Sequence, residues 1–489
     1  MLDKEELHRS MLQRIARKAM LEKGLLPDFS QQAITELKGI NGAVPKIEGT
    51  TKDLRNLIWC SIDNDDSLDL DQLSVAIPKP GNSVTILIAI ADVDAIVKKG
   101  SAIDEHAKAN TTSVYTPAQI FPMLPEKLST DITSLNFDTD RLAVIIEMGI
   151  GNDGSLLNSD IYQAIVKNHA KLAYNSVAAW LEGNGAMPEE IGEIKDLEDN
   201  LRLQDTIAKK LKSLRHAHGA LDLETIKVHP VFDGDNVKEL EVDKRNSATD
   251  IIEDFMVAAN GVTARYLASK NLPSIRRVVK TPKRWDRIVE LASEHNYKLP
   301  QQPDSKALDQ FLLSAKTADA IRYPDLCLSV IKLLGPGEYV LELPGGNSEG
   351  HFGLAVKDYE HSTAPNRRFP DIITQRLLKA AMAGQPIPYT TDELADLASH
   401  CTQEEDAAKK VERMVEKSAA AMVMESKIGQ EFDAIVTGAS EKGTWVRIMQ
   451  PPVEGKLISG VEGLDVGHRL RVKLVHTDAE RGFIDFKKI

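Results

Sequence analysis

The sequence predicts an α+β domain over residues 47–427, with a short helical region before it and a small all-β barrel of the OB type after it. Strand-like apolar runs dominate residues 47–230, whereas helical periodicity dominates residues 247–427. Separate runs of strands and helices are typical of an α+β fold. Residues 428–489 return to short strands, which indicates a second, all-β unit.

The helical region occupies residues 1–46. A first helix is predicted over residues 4–23, because apolar side chains recur every three or four positions there. A second helix is predicted over residues 30–37, before Gly39 and Gly42 break the pattern. Two consecutive helices leave two interpretations open: an arm that packs on the next domain, and a helix-turn-helix.

The central domain begins with three apolar runs that predict buried strands. They lie at residues 57–62, 84–93 and 142–150. A helix is predicted to begin at Ser247, where Asp250 three residues later gives a cap-like start. Further helices are predicted after Asp371 and over residues 404–427.

The C-terminal unit contains five short apolar segments with turn residues between them. They lie at residues 431–437, 444–448, 455–460, 469–475 and 482–488. Five short strands in so short a segment predict a closed barrel.

The composition excludes several classes of protein. Hydrophobic residues make up 42% of the chain, and no apolar run is long enough to predict a membrane span. The three cysteines, Cys60, Cys327 and Cys401, are too far apart for a zinc pattern or a disulfide framework, so the cytoplasm is expected. The net charge of −13 argues against binding nucleic acid through bulk charge, but it is compatible with a site of clustered carboxylates.

An aspartate-rich loop follows the first predicted strand. Its five carboxylates lie within nine positions: Asp63, Asp65, Asp66, Asp69 and Asp71. Like charges at this density repel each other unless cations lie among them. Carboxylate oxygens are hard ligands that suit Mg²⁺ or Mn²⁺.

The loop has two other interpretations, an EF-hand and a solvated acidic turn. An EF-hand that began at Asp63 would need Gly and Glu where Leu68 and Ser74 stand, so that interpretation fails. A solvated acidic turn stays open on spacing alone.

Longer segments then resemble, in the same order, those of the RNase II-type (RNB) exoribonucleases. The resemblance begins with the pattern I-D-x5-D-x-D and continues at residues 88–104, 113–136, 170–182, 248–264 and 350–378. The C-terminal barrel resembles the S1-type OB module that follows the catalytic domain in that family. The resemblance implies an exoribonuclease that degrades single-stranded RNA processively from the 3′ end and releases nucleoside 5′-monophosphates. It also implies Mg²⁺, or Mn²⁺, as the cofactor.

The resemblance assigns the catalytic residues by position. Asp63, Asp69 and Asp71 match the catalytic carboxylates, and Arg367 matches the arginine beside the scissile phosphate. The same three aspartates and Gln72 are the expected metal ligands. At the position of Gln72 the family usually has a fourth carboxylate, so an uncharged amide oxygen would have to replace it.

Six residues are expected to bind RNA, of which the resemblance places the first three by position: Tyr115, Tyr174, Glu416, His361, Arg368 and Trp445. Tyr115 is expected to stack near the 3′-terminal base. For His361, a packed or surface histidine is an equally good interpretation. For Trp445, the alternative is a place in the barrel core.

A basic run is the last candidate for RNA contact. It contains Arg276, Arg277, Lys280, Lys283, Arg284 and Arg287, with Trp285 among them. These side chains are interpreted either as an approach path for RNA or as a solvated helix face.

The front of the chain departs from the family. The family has two cold-shock barrels before the catalytic domain, and 46 residues are too few for even one, so a compact form is expected. No stable protein partner is expected. The runner-up function is an inactive RNB-fold protein that binds RNA, and an endonuclease is a third reading.

Overall fold

The structure, a computed structural model, describes residues 7–42, 51–243, 245–320, 322–346 and 350–489. The predicted first residues of the opening helix and the predicted boundary between residues 46 and 47 lie outside these ranges. The boundaries between the three predicted domains therefore stay a prediction.

The first half of the chain carries the strands of the main sheet. Its helices are α1 (His8–Glu22), α2 (Gln31–Gly39), α3 (Ala102–Asn110), α4 (Tyr174–Leu181), α5 (Glu189–Gly192) and α6 (Leu197–Ala217). Its strands are β1 (Lys52–Asp53), β2 (Cys60–Asp63), β3 (Gln72–Pro78), β4 (Val84–Ala91), β5 (Val114–Tyr115), β6 (Ile120–Phe121), β7 (Asp140–Ile150), β8 (Leu156–Lys167) and β9 (Ala170–Ala173).

The second half is mainly helical until the barrel. Its helices are α7 (Ser247–Ser269), α8 (Trp285–Glu294), α9 (Ser305–Ala318), α10 (Tyr323–Leu334), α11 (Phe369–Ala383) and α12 (Thr391–Met424). Its strands are β10 (Lys227–Asp233), β11 (Asn236–Asp243), β12 (Ser274–Val278) and β13 (Glu338–Glu342), followed by β14 (Glu431–Ser440), β15 (Gly443–Ile448), β16 (Glu454–Leu457), β17 (Arg469–Asp478) and β18 (Phe483–Lys488).

The main sheet has the strand order β1-β8-β7-β4-β3-β2-β9. It is antiparallel except where β1 meets β8 and β2 meets β9. Every residue of β4 is buried, because the sheet is covered on both faces at its centre. The five C-terminal strands close a barrel in the order β14-β15-β16-β18-β17. The predicted fold class, an α+β domain with N-terminal helices and a closed barrel, is confirmed.

Helix α6 was not predicted, because its buried face is partly polar. Gln204 accepts a hydrogen bond from the Ser74 hydroxyl at 2.7 Å. The Asn200 amide accepts from the backbone N–H of Ala76 at 3.1 Å and donates to its carbonyl at 2.7 Å. The short strand β2 pairs with β3 only at Ser74, so Asn200 supplies the partner that the backbone of Ala76 would otherwise lack.

Two helix starts differ from the sequence prediction. Helix α7 is capped by Asn246, whose side chain accepts from the N–H of Thr249 in a capping box, and not by Ser247. The helix predicted from residue 404 starts at Thr391, because the hydroxyl of Thr390 caps it.

The N-terminal helices pack on the catalytic domain. Helix α1 buries Ile15 and Ala19 in a cluster that also contains Val411 and Val415 of α12. The carboxylate of Glu36 accepts two hydrogen bonds from the first backbone N–H groups of α3. Residues 7–42 therefore contact several elements around α12.

Charged side chains fix the barrel to helices α8 and α10. Arg447 of β15 is buried and donates to Asp325, which is 1% exposed. Asp465, in the loop before β17, forms ion pairs with Arg284 and Arg287. The barrel is thus joined to the catalytic domain by charge pairs as well as by apolar packing.

Candidate active site

The aspartate-rich loop joins β2 to β3 at one end of the main sheet. Strand β2 is anchored by buried Cys60 and Ile62, and Asp63 is its last residue. The chain turns at Asp65 and Asp66, which are exposed, and returns to the sheet after Asp71. Two carboxylates thus lie at the turn, while Asp63 and Asp71 are held at the ends of strands.

Asp71 is the most enclosed of these carboxylates, with 1% of its surface exposed. Its Oδ1 accepts from the backbone N–H of Asn366 at 2.8 Å, and its Oδ2 accepts from Nε of Arg367 at 3.1 Å. Burial raises the pKa of Asp71 to about 7, although the neighbouring Arg367 opposes the shift. The free-energy cost of removing the Asp71 carboxylate from water therefore exceeds the stabilisation that its hydrogen bonds provide.

Asp63 and Asp69 complete a group of three carboxylates. Burial raises the pKa of Asp63, and the charge of Asp69 adds to this effect, while the charge of Arg367 opposes it. Asp69 accepts from the Tyr115 hydroxyl at 3.1 Å through Oδ2. Three acids thus lie around one guanidinium, Arg367, which is 44% exposed on its side chain.

Tyr115 and Glu416 lie on the same side of the site. The backbone N–H of Tyr115 donates to Glu412 at 2.9 Å. Glu416 follows one turn later on α12, close enough to influence the pKa of Glu412. Tyr115 is 39% exposed, as a ring that stacks on a base must be.

Tyr174, the first residue of α4, lies near Asp63. Burial raises the pKa of Tyr174, and the charge of Asp63 raises it further. The structure therefore brings Tyr174, Asp63 and Arg367 into one electrostatic neighbourhood.

The two neighbouring arginines of the segment before α11 have different partners. Arg367 donates to Asp71, whereas Arg368 donates to Asp371 at 2.7 Å and is 23% exposed. Only Arg367 has its guanidinium at the aspartate-rich loop. The RNA-binding role of Arg368 stays a prediction.

His361 lies farther inside. Its Nδ1 is 2.8 Å from the Tyr339 hydroxyl, and its ring meets the rings of Tyr339 and Tyr359 edge-on. Burial and the charge of Arg368 hold the pKa of His361 well below its usual range. His361 is therefore neutral near pH 7, so any contact with RNA would be a hydrogen bond and not an ion pair.

Trp445 lies on strand β15 of the barrel. It is half-buried on β15 and packs over Gly438 of β14, where an added Cβ would be 3.5 Å from the indole ring. Its neighbour Val446 is fully buried. Because neighbours on a strand face opposite sides, Trp445 lies outside the barrel core.

Sequence reasoning missed residues that support the loop. Asn366 is buried, and its side-chain oxygen lies 2.6 Å from the hydroxyl of Thr133. Lys171 donates to the carbonyl of Ser67 at 2.6 Å. No local signal identified Asn366, because its partner Thr133 is 233 positions away in the sequence.

The basic run is only partly buried, and its role as an approach path for RNA stays a prediction. Arg276 and Arg277 are buried on β12, and Arg277 forms an ion pair with Glu405. Trp285 is also buried, and its ring N–H donates to the carbonyl of Pro300. Lys280, Lys283 and Arg284 are exposed, as the interpretation as a solvated face requires.

The donor set of the loop fits a hard divalent ion in its chemistry. All four expected ligands, Asp63, Asp69, Asp71 and Gln72, offer oxygen atoms, and burial of Asp63 and Asp71 favours a nearby positive charge. Gln72 is the first residue of β3 and is 8% exposed. Within the described ranges, however, no three acidic, histidine or cysteine side chains have closed to metal-binding geometry.

None of the described helices is long and apolar enough to cross a membrane. The three cysteines are buried free thiols, which agrees with the absence of a disulfide framework.

The fold and the loop together define a protein of the RNB class. A family model described as the RNB domain matches residues 51–384, well over half of the chain, and one described as the RNase II-type exonuclease C-terminal S1 domain matches residues 430–489. The chain therefore belongs to the RNB family.

Curated relatives give the same result. Ribonuclease R 1 of Lactococcus lactis is 28% identical over 95% of this chain and 59% of the relative, and ribonuclease R of Aquifex aeolicus is 27% identical over 97% and 70%. Ribonuclease R of Escherichia coli is 29% identical over 88% of this chain and 54% of the relative. The chain thus spans between about half and 70% of the length of these relatives.

Solved structures share the fold. Mycoplasma genitalium RNase R in complex with ribose-methylated single-stranded RNA matches with a TM-score of 0.86 and 22% identity, over 98% of this chain and 78% of that one. Yeast Ssd1, a pseudonuclease, matches with a TM-score of 0.70 and 14% identity, over 96% and 57%. Because an enzyme and a pseudonuclease both match, the fold alone does not define activity.

Proposed function

We propose that this protein is a 3′→5′ exoribonuclease that degrades single-stranded RNA processively and releases nucleoside 5′-monophosphates. The observation that carries the proposal is the group of Asp63, Asp69 and Asp71 around Arg367 in an RNB fold. Burying three carboxylates beside a single cationic side chain costs free energy of folding. A cationic cofactor and a phosphate substrate therefore explain the burial of these acids better than a contribution to stability does.

Mg²⁺, with Mn²⁺ as the alternative, is the proposed cofactor. Asp63, Asp69 and Asp71 would hold it, with Gln72 as a neutral fourth donor. When bound, such ions supply an activated water and positive charge at the scissile phosphate.

The remaining chemistry belongs to side chains of this protein. Arg367 has a half-exposed guanidinium beside Asp71, so it is placed to bind phosphate oxygens as negative charge develops on them. The ring of Tyr115 would stack on the terminal base, and its hydroxyl would keep Asp69 in position. His361, Arg368, Tyr174 and Glu416 are proposed to contact the RNA end, and Trp445 is proposed to contact the strand at the barrel.

We expect the protein to act in the cytoplasm, where its free thiols would stay reduced.

The test is degradation of a 5′-labelled single-stranded RNA with Mg²⁺, with and without EDTA. We expect metal-dependent shortening of the labelled strand from its 3′ end, and early release of mononucleotides when the same RNA is labelled uniformly. Early internal fragments would instead indicate an endonuclease.

An inactive RNA-binding protein is the second candidate. Gln72 in place of a carboxylate and the hydrogen bonds that Asp71 already makes to Arg367 and Asn366 favour it. RNA that is bound but intact under all metal conditions would select this alternative and reject the exoribonuclease.

A further inference from the structure

The barrel and helices α8–α10 enclose two adjoining cavities. Their volumes are about 230 and 480 Å³, and both are lined by His295, Arg322, Leu326 and Arg469. Because the cavities share these walls, we treat them as one site, the junction cleft. No residue of the loop 63–71 lines it.

Two arginines in the junction cleft have binding capacity left. Arg322 is 65% exposed, and its Nε lies 3.6 Å from Asp319. Arg469 is 44% exposed and makes a long contact of 3.4 Å to Asp325, which also accepts from the buried Arg447. A guanidinium has five N–H donors, so each of the two exposed arginines can bind a further anion.

A histidine adds a neutral donor to the same wall. Nδ1 of His468 accepts from the backbone N–H of Asp465 at 3.1 Å. The ring proton of the neutral form must then be on Nε2. His468 lines the larger cavity, beside Arg469.

The opposite wall is aromatic. The ring of His295 is exposed and that of Tyr297 is half-buried, and they pack on the buried ring of Phe311 with centroid distances of 5.9 and 5.3 Å. Such a wall suits the face of a nucleobase, because stacking tolerates any base. Glu294 and Asp319 also line the cleft, so one phosphate fits better than a polyphosphate.

We propose that the junction cleft binds a nucleoside monophosphate, with its phosphate between Arg322 and Arg469 and its base against Tyr297 and His295. The proposal goes beyond the proposed function, since it uses none of the catalytic residues. Arg322 lies just before α10 and Arg469 lies on the barrel, so a bound nucleotide would link the barrel to the helices.

Calorimetric titration of the whole chain with AMP in EDTA tests the proposal, because no turnover occurs without metal. The double variant Arg322→Ala/Arg469→Ala should bind AMP at least about tenfold more weakly, through loss of two charge-assisted contacts. The matched control is Arg202→Ala/Arg481→Ala, which removes two exposed, ion-paired arginines elsewhere and should leave the affinity unchanged. A second variant, Ala318→Trp, should block the cleft without removing a charge.

Binding at the catalytic loop is separated by the variant Tyr115→Ala/Arg367→Ala, which should retain the AMP affinity of the junction cleft. Inorganic phosphate and adenosine, titrated separately, should each bind more weakly than AMP. Unchanged AMP affinity in Arg322→Ala/Arg469→Ala, or complete loss of AMP binding in the catalytic-loop variant, would overturn the proposal. Equal affinity for phosphate and AMP would overturn the assignment to a nucleotide. Each of these results is independent of whether the protein degrades RNA.

Discussion

Two groups of carboxylates lie side by side at one end of the main sheet, and they are neutralised differently. The first is the catalytic loop, with Asp63, Asp69 and Asp71 around Arg367. The second, here called the buried ion network, contains Asp92, Asp94, Asp104, Arg376 and Lys379. The two are adjacent, because the N–H of Ala91 donates to the carbonyl of Asp71.

The buried ion network is nearly balanced in charge and well bonded. Arg376 is 3% exposed and donates to Asp94, Asp104 and the Tyr389 hydroxyl. Burial alone would raise the pKa of Asp94, but Lys379 and Arg376 outweigh it and the pKa is lowered. In the catalytic loop the balance is reversed, and the pKa of Asp71 is raised to about 7. Acids that are buried without enough cations indicate a functional site, whereas saturated acids indicate structure.

The largest expected effect comes from Asp71→Asn. We expect the rate of RNA degradation to fall about 100-fold or more while RNA affinity is kept, because the variant removes charge that is needed in the reaction and not in binding. Labelled-RNA degradation and filter binding measure the two quantities. Degradation at the wild-type rate would show that Asp71 is not catalytic.

The matched change in the buried ion network should act on stability. Arg376→Met leaves Asp104 without its ion-pair partner and leaves Asp94 with Lys379 alone, so we expect a loss of about 3–5 kcal/mol in the free energy of unfolding. Arg367→Met, at the half-exposed arginine, should cost less than about 1 kcal/mol but should abolish most activity. Urea unfolding measures the free energy of unfolding of both variants. Equal losses of stability in the two variants would contradict the difference between the two carboxylate groups.

The pH dependence of stability should have opposite signs in the two groups. Asp71 has a raised pKa in the folded protein. In EDTA, its contribution to the free energy of unfolding is therefore lost as the pH rises from about 4 to 7. Asp94 has a lowered pKa, so its contribution is lost as pH falls below 4. Asp71→Asn should therefore flatten the stability profile above pH 4, and Asp94→Asn should flatten it below.

The smallest effect is expected from metal alone. Millimolar Mg²⁺ should raise the melting temperature of the wild-type protein by roughly 1–3 °C, because ligand binding to the folded state stabilises it. Asp63→Asn and Asp71→Asn should lose this shift, while Asp92→Asn should retain it even if its melting temperature is lower. A shift that is the same in all of them would place the ion elsewhere.

The sequence predicted much of this molecule where a pattern is local. The strand β4, the barrel strands and the loop between Asp63 and Asp71 could be read from neighbouring residues. What failed depends on distant partners. Arg277 is buried because it pairs with Glu405. Helix α6 was not predicted because the partners of its buried polar residues, Asn200 and Gln204, lie on β3.

The site shows the same limit. The resemblance identified Asp71 and Arg367 as site residues. It did not predict that their side chains bond to each other, although they are 296 positions apart in the sequence. The contact between Thr133 and Asn366, which supports that geometry, is also set by tertiary structure. Residue identities could therefore be inferred, while charge balance and burial could not.

The packing of α1 on α12 has a practical consequence for work with fragments. A recombinant piece that began at residue 51 would uncover the stripe of Val411, Val415 and Ala419 that α1 covers. An exposed apolar stripe of this kind promotes self-association. Recombinant versions for crystallisation or cryo-electron microscopy should therefore keep residues 7–42 attached.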